Sequence, residues 1–264
     1  MSGDVNIAAI ASLLADPTRV SVLMALSDGR ALPAGELALR ARVASSSISM
    51  HLAKLVECGL LDVKRQGRHR YFRIANPAII EALEVLAPLA PTLPVRSLRE
   101  ADIGNALRRA RMCYKHIAGA LGVALSQALV EKQILEEAGD GYLLTEEGAN
   151  WLCDFGIDAC MLQKQKHLVV PAHIDWSERC HHVAGTFGMA LTSRLLELEW
   201  VARLPSSRAI RVTESGCQGL SEVFGICMKG EMPGMSAVIE MPQIRGSGPI
   251  NAAQIRTGQL QQQA

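Results

Sequence analysis

Apolar residues recur at three- and four-residue spacing over residues 5–14 (VNIAAIASLL) and 17–26 (PTRVSVLMAL), which predicts two helices. Asp16 is placed to cap the second and Pro17 occupies its first turn. SDGR at 27–30 predicts a turn, and Pro33 opens a third short helix through PAGELALRAR with Leu37 and Ala38 facing inward. Ser45 or Ser46 then caps a helix over SSISMHLAKLVEC, with Ile48, Leu52, Leu55 and Val56 as its buried stripe and Gly59 as its stop. The pattern changes in LLDVKRQGRHRYFRI, where Leu61, Val63, Tyr71, Phe72 and Ile74 flank a turn at Gln66-Gly67 and predict a β-hairpin with arginines at its tip. Asn76-Pro77 starts a further helix, PAIIEALEVLAPLA, with Ile79, Ile80, Leu83 and Leu86 on one face. Pro88, Pro91 and Pro94 follow at every third residue, predicting an extended linker and a domain boundary near 88–97.

Beyond the linker the chain repeats itself. HIAGALGVALSQALVEKQILEEAGDGYLLTEEG (116–148) aligns with HVAGTFGMALTSRLLELEWVARLPSSRAIRVTESG (182–216), sharing His116/His182, Gly119/Gly185, Gly122/Gly188, Ala124/Ala190, Leu125/Leu191 and Thr145/Thr213. Each copy reads as apolar helix, strand, turn, strand and a Thr-x-x-Gly that caps another helix. Two winged-helix-like units are expected, at 97–160 and 172–228. The small residues Gly119, Gly122, Gly185 and Gly188 permit close backbone approach, in helix packing ahead of a ligand cleft. The last stretch, 229–264, lacks periodicity and ends in QLQQQA, predicting a mobile tail in which only SAVIE (236–240) packs.

Composition changes this picture in two ways. The 264 residues are 49% hydrophobic, enough for more than one core, and hold 27 basic against 26 acidic residues, so no whole-chain field attracts nucleic acid or a membrane. Between Arg40 and Arg73, however, eight basic residues face only Glu57 and Asp62. A helix with small polar side chains at its start fits a major groove, and arginines on a flanking element grip phosphates. Ser45, Ser46, Ser47, Ser49, Met50 and Lys54 on the helix, with Lys64, Arg65, Arg68 and Arg70 on the hairpin, are the candidate DNA contacts. His51 points to the inner side of the same helix. Aromatic content of 4% argues against a stacking platform for single strands. No apolar run reaches a membrane span and no leader pattern is present, which predicts a cytoplasmic protein without membrane partners.

These motifs resemble a known family, the ArsR/SmtB-type winged-helix repressors of bacteria. The resemblance rests on LADPTRVSVLMAL (14–26), on SSSISMHLAKLVECGLL (45–61) and on the wing VKRQGRHRYFRI (63–74), and covers about residues 5–90. It implies a homodimeric repressor that releases its operator when an effector binds, with the first and last helices of the domain forming the dimer interface. Members that sense metals carry a Cys-x-Cys on the helix before the recognition helix. That helix here reads PAGELALRAR, without cysteine, so the effector does not carry over.

Candidate chemistry lies in the repeat. Cys113 and His116 share a helix-start face, and Cys180, His181 and His182 occupy the corresponding region of the second copy with His173 just upstream. Thiolate and imidazole suit zinc, copper(I) or another soft ion, which makes Cys113, His116, Cys180 and His182 a candidate effector or metal site. A small organic inducer between the copies, walled by His116, His182, Trp151, Trp176 and Met189, is a second chemistry. Thiol oxidation at Cys153 and Cys160 or at Cys113 and Cys180 is a third. The seven cysteines lack a secretory context, so no disulfide framework is expected. Phosphate loops, G-x-S-x-G and paired carboxylates are absent, and no enzyme activity is expected.

The sequence therefore predicts a mainly α (α+β) chain, with a winged helix-turn-helix at 1–90 that dimerises and holds duplex DNA, followed by two winged-helix-like repeats and the tail. The expected function is an operator-binding transcriptional repressor whose C-terminal repeats sense an effector. The alternative is a non-enzymatic interaction module with non-specific DNA affinity.

Overall fold

The computed structural model describes residues 5–91, 93–158, 169–205, 207–229 and 238–240. The chain divides into two compact units: one of Met1–Leu89 with the short segments Met112–Lys115 and Ser206–Arg208, the other of Ala90–Arg111, His116–Pro205 and Ala209–Ala264.

In the first unit, α1 (Ile7–Leu14) and α2 (Pro17–Leu26) are bent by 90° at Asp16. The Asp16 carboxylate accepts the Arg19 N–H at 2.9 Å, satisfying one of the donors that a helix start leaves open. β1 (Leu32–Pro33) leads into α3 (Ala34–Ala41), which stops at Arg42 in the left-handed conformation (φ 56°). α4 (Ser45–Glu57) follows. Its cap is Ala44 and not Ser45 or Ser46: the extended residue falls one position earlier than expected, which puts the three serines inside the first turn. β2 (Leu61–Gln66) and β3 (His69–Ile74) pair with Gln66 opposite His69, so the loop is Gly67-Arg68, one residue past the predicted turn, with Gly67 at φ 60°. The sheet order is β1-β3-β2.

Leu23, Leu26, Leu37, Ile48, Leu52 and Phe72 are buried in one apolar core, the stripes that the helical spacing anticipates. α5 (Ala78–Leu86) adds Ile80 to it. Leu86, expected on that inner face, is 48% exposed, and Val85 and Leu89 are exposed beside it, as are Val5 and Ile7 at the start of α1. The outermost helices of the unit thus carry apolar side chains that its own core does not cover.

The second unit begins with α6 (Leu98–Arg109), capped by the Ser97 hydroxyl. Then come β4 (Arg111–Cys113), whose Met112 and Cys113 group with the first unit, β5 (His116–Ala118), α7 (Ala120–Glu131), β6 (Leu135–Ala138), β7 (Gly141–Leu144) and α8 (Glu146–Asp154). The order recurs as β8 (Val169–Ile174), β9 (His181–Val183), α9 (Gly185–Glu197), β10 (Val201–Arg203), β11 (Ile210–Val212) and α10 (Glu214–Gly219), which runs into a π-helical turn at Leu220–Phe224. β12 (Cys227–Lys229) pairs with β13 (Val238–Glu240). Local geometry recurs with the order: Gln133 and Glu199 end α7 and α9 in the left-handed region (φ 59° and 55°). Thr145 and Thr213 each cap the following helix by accepting the N–H of Gly148 and Gly216, at 2.8 and 2.9 Å.

The two copies are interleaved. The β6–β7 wing of the first copy extends onto β8 and β9 of the second, giving a four-stranded sheet β6-β7-β8-β9. Reciprocally, the strand entering β11 bridges to β4 at Ala209 and Arg111, and the Ile210 N–H donates to the Ala110 carbonyl at 2.9 Å. The helices cross over as well. Ser126 of α7 accepts the Val183 N–H of β9 at 2.8 Å, while Thr192 of α9 accepts the Ile117 N–H of β5 at 3.0 Å. Ser126 and Thr192, like Ile117 and Val183, occupy equivalent positions of the repeat. The stretches read as two units, 97–160 and 172–228, therefore fold as one, because each wing takes its strand partner from the other copy. Cys160 and most of the expected tail at 229–264 lie outside the described residues, of which Lys229 and Val238–Glu240 are the part of the tail described.

Candidate nucleic-acid interface and metal centre

Two sites arise from these units, one at the surface of the first and one in the interior built by the repeat.

On α4 the stripe Ile48, Leu52 and Leu55 is buried, which turns Ser45, Ser46, Ser47, Ser49, Met50 and Lys54 outward; all six are exposed. His51 is on the inner side, with Nδ1 3.5 Å from the Asp16 carboxylate, and so ties the helix to the cap of α2. Along the hairpin, Lys64, Arg65, Arg68 and Arg70 are exposed. Arg65 and Arg70 sit directly opposite each other across β2 and β3, a like-charge pairing that opposes sheet formation. Among the described residues no carboxylate pairs with Lys64, Arg65 or Arg68. Arg73 by contrast meets Asp62 at 3.0 Å and Lys54 meets Glu57 at 3.1 Å, so their charge is partly neutralised within the chain. The unit thus offers a polar helix face and a hairpin on which Lys64, Arg65 and Arg68 have no carboxylate partner among the described residues.

The second site lies where the two copies cross. His116 is on β5. His182 on β9 pairs in register with His173 on β8, so their side chains share one face of the sheet. Cys113 ends β4, joined to His116 by the turn Tyr114-Lys115. Each of the four offers one ligand atom, and these atoms all lie within 4.8 Å of one another. The ring centroids of His116 are 5.2 Å from those of both His173 and His182. Cys113, His116 and His182 are buried and His173 half-buried. Cys180, expected in this group, is exposed and outside it. It lies in the turn before β9, where its carbonyl accepts the Asp175 N–H at 2.8 Å, and the strand turns His182 inward instead. His173 takes the fourth place. Its signal in the sequence was weak, because a register across strands decides it and not proximity along the chain. The candidate walls of an organic site divide: Trp151 stacks on Phe155 at 4.7 Å between centroids, and Trp176 lies under the Arg111 guanidinium, 4.5 Å from its ring centroid.

Burial keeps the His116 and His182 imidazoles neutral. Burial pushes the His182 pKa down to about 3 against the partial support of Asp175, and His116 is held well below the ordinary histidine value by burial and by His182, His173 and Arg111. Among the described residues, His116 Nε2 and both ring nitrogens of His182 are buried without a hydrogen-bond partner. Buried polar atoms are rarely left so in a folded chain, and these face a cluster of other lone-pair donors.

Asp175 and Arg111, neither singled out by the sequence, form the floor. Both side chains are fully buried and pair at 2.8 Å. Asp175 also accepts the Gly119 N–H at 2.6 Å and the Ser177 hydroxyl at 2.6 Å. Burial alone would raise its pKa, but Arg111 and these hydrogen bonds outweigh it and hold the carboxyl at about 2. A fixed carboxylate results, 3.9 Å from His182 Nδ1. The helices press on the site reciprocally: a Cβ at Gly188 would lie 3.0 Å from the His116 Cβ and one at Gly122 3.7 Å from that of His182.

Comparison with known proteins places the first site in context. Residues 16–63 match the family model described as bacterial regulatory protein, arsR family. The chain is 44% identical over 211 residues to the HTH-type transcriptional regulator YdfF of Bacillus subtilis (strain 168), covering 80% of this chain and 93% of that one. A match of that length extends past the winged helix into the second unit. The HTH-type transcriptional regulator CmtR of Mycobacterium tuberculosis is 38% identical over 77 residues, 29% of this chain and 64% of that one. The probable mercury resistance operon repressor of Streptomyces lividans is 30% identical over 77 residues, 29% of this chain and 61% of that one. Among solved structures, the cadmium metal-sensor CMTR of Mycobacterium tuberculosis is 31% identical over 35% of this chain and 99% of that one, with a TM-score of 0.28.

Proposed function

Because the chain belongs to the ArsR family of bacterial regulatory proteins, as its likeness to YdfF over most of both lengths establishes, we propose that this DNA-binding transcriptional regulator is an operator-binding repressor. It acts in the cytoplasm as a homodimer and is released by an effector sensed in the second unit. The carrying observation is the wing, where Lys64, Arg65 and Arg68 stand exposed with no carboxylate partner among the described residues and Arg65 faces Arg70. Phosphates relieve that repulsion, while Ser45, Ser46, Ser47, Ser49 and Met50 at the start of α4 meet base edges and Lys54, Lys64, Arg65, Arg68 and Arg70 hold the backbone. Winged-helix-like repeats at 97–160 and 172–228 supply the effector half.

The effector acts by differential affinity: it favours a dimer geometry in which the two recognition helices no longer match half-sites one helical turn apart. A transition-metal ion is the effector class the second site favours, since its donors are sulfur and imidazole nitrogen. The name of the mercury resistance repressor fits that class.

Arg65→Ala with Arg68→Ala tests the carrying observation in the full chain. Operator affinity falls, and the slope of log affinity against log salt flattens by about one unit for each lost phosphate contact. An unchanged slope removes the wing from the interface. Competition with random duplex separates the repressor from a module with only non-specific affinity, because a repressor prefers its operator by about a thousandfold or more.

A further inference from the structure

We propose that Cys113, His116, His173 and His182 form a tetrahedral centre for a divalent ion of the zinc class, with one thiolate and three imidazole ligands. The proposal deepens the effector half of the function given above, and it can fail without that function failing.

Four observations carry it. The four donor atoms lie within 4.8 Å of one another. In a tetrahedral zinc site adjacent ligand atoms are about 3.4 to 3.7 Å apart, so a contraction of about an ångström, within reach of side-chain rotation, completes it. Next, His116 Nε2 and both ring nitrogens of His182 are buried with no hydrogen-bond partner among the described residues, so their lone pairs are not spent within the chain. Asp175 supplies the third: held in place by Arg111, Ser177 and Gly119, its carboxylate faces His182 Nδ1 from 3.9 Å. That placement favours the tautomer with its proton on Nδ1 and leaves Nε2 as the donor, the arrangement that outer-sphere carboxylates commonly impose on metal-bound histidine.

Symmetry is the fourth. His116 and His182 are equivalent residues of the repeat, each pressed by the glycine of the other copy's helix, Gly188 and Gly122. The cluster therefore sits at the local pseudo-twofold of the duplicated fold. His173 and Cys113 break that equivalence, turning a symmetric histidine pair into a four-donor set.

The donor set chooses the ion. Without a carboxylate or carbonyl oxygen among the four, magnesium, calcium and manganese are disfavoured. With a single thiolate, the site offers too little sulfur for ions that prefer two or three, copper(I) and cadmium among them. Three nitrogens and one sulfur suit zinc(II), and cobalt(II) reports on the same geometry.

The test is titration of cobalt(II) into the full-length, reduced, chelator-stripped protein. One equivalent binds with the strong visible ligand-field bands of tetrahedral cobalt and a sulfur-to-cobalt charge-transfer band in the near ultraviolet, and zinc(II) displaces it mole for mole. Cys113→Ser removes the charge-transfer band, His173→Gln weakens binding by about tenfold or more, and Cys180→Ser leaves the spectrum unchanged. Circular dichroism of the metal-free variants checks that they fold. His173, only half-buried, is the variant least dependent on packing. Absence of stoichiometric binding, the weak bands of octahedral cobalt, or a charge-transfer band that survives Cys113→Ser each overturns the proposal.

Operator binding, measured on the same samples, separates the two readings. A tetrahedral cobalt site that leaves operator affinity unchanged preserves the centre and removes metal response from the function. An operator response to zinc that persists in Cys113→Ser and His173→Gln does the reverse.

Discussion

At Asp16 a single carboxylate joins two helices, accepting the Arg19 N–H at the start of α2 and lying 3.5 Å from His51 on α4. The hydrogen bond from the Arg19 backbone is the main reason its pKa lies below the ordinary 3.8, with the Arg19 and His51 charges adding to it against partial burial. Its folded value is depressed, so its contribution to stability is complete above 3.8 and is lost as the pH falls through the folded value. Asp16→Ala costs about 0.5 to 2 kcal/mol at neutral pH. In urea titrations the gap between wild type and variant narrows below pH 3.8, and a gap independent of pH refutes the cap. Asp16 was legible because a cap and its Pro17 are neighbours in the chain. Cys180 misled for the converse reason. It is adjacent to His181 and His182 in sequence, yet only the strand residues alternate between inside and outside, and Cys180 precedes the strand.

At the scale of elements, the hydrophobic spacing anticipated the helices and the wing of the first unit to within a residue or so. The repeat likewise anticipated the helix, strand, strand, helix order from α7 and α9 onward, but not the strands before them: Cys113 and His116, expected at a helix start, stand on β4 and β5. Pairing between those elements was another matter. Gly122 and Gly188 were weighed as sites of close packing or of a ligand cleft, and the structure has each helix pressed on the strand before it in its own copy and on a histidine of the other copy's strand. A Cβ at Gly188 would lie 2.8 Å from the Val183 carbonyl and 3.0 Å from the His116 Cβ, and one at Gly122 would lie 2.5 Å from the Ile117 carbonyl. Backbone atoms cannot swing aside as a side-chain tip can, so Gly188→Ala destabilises the protein by about 1 to 3 kcal/mol despite its better helix propensity. Thermal unfolding of the metal-free protein reads this directly. A melting temperature at or above that of wild type means that α9 does not press on Val183 of β9 and His116 of β5 as described.

For the whole molecule, a formal charge of +1 means that attraction to DNA rests on where the cations stand and not on their sum. The apolar residues outside the first core bear on assembly. Ile7 on α1 is 68% exposed and Leu86 on α5 48%, with Val85 and Leu89 beside the latter. Such side chains are costly to leave in water, and a two-fold dimer that buries them would bring two copies of α4 to bear on a palindromic site. Ile7→Glu with Leu86→Glu shifts the protein to monomer in sedimentation velocity and weakens operator binding in parallel. A dimer that persists places the interface elsewhere.

The chain's own order of residues determined the winged helix, its basic hairpin, the caps and the existence of an internal repeat, because each depends on periodicity or charge within a span of one or two elements. Tertiary structure alone decided that the two copies exchange strand partners, that His173 and not Cys180 joins Cys113, His116 and His182, and that Asp175 and Arg111 lie beneath them. Strand register and the crossing of helices bring together residues far apart in the chain, and a pairing over that distance leaves no period in the sequence to be read.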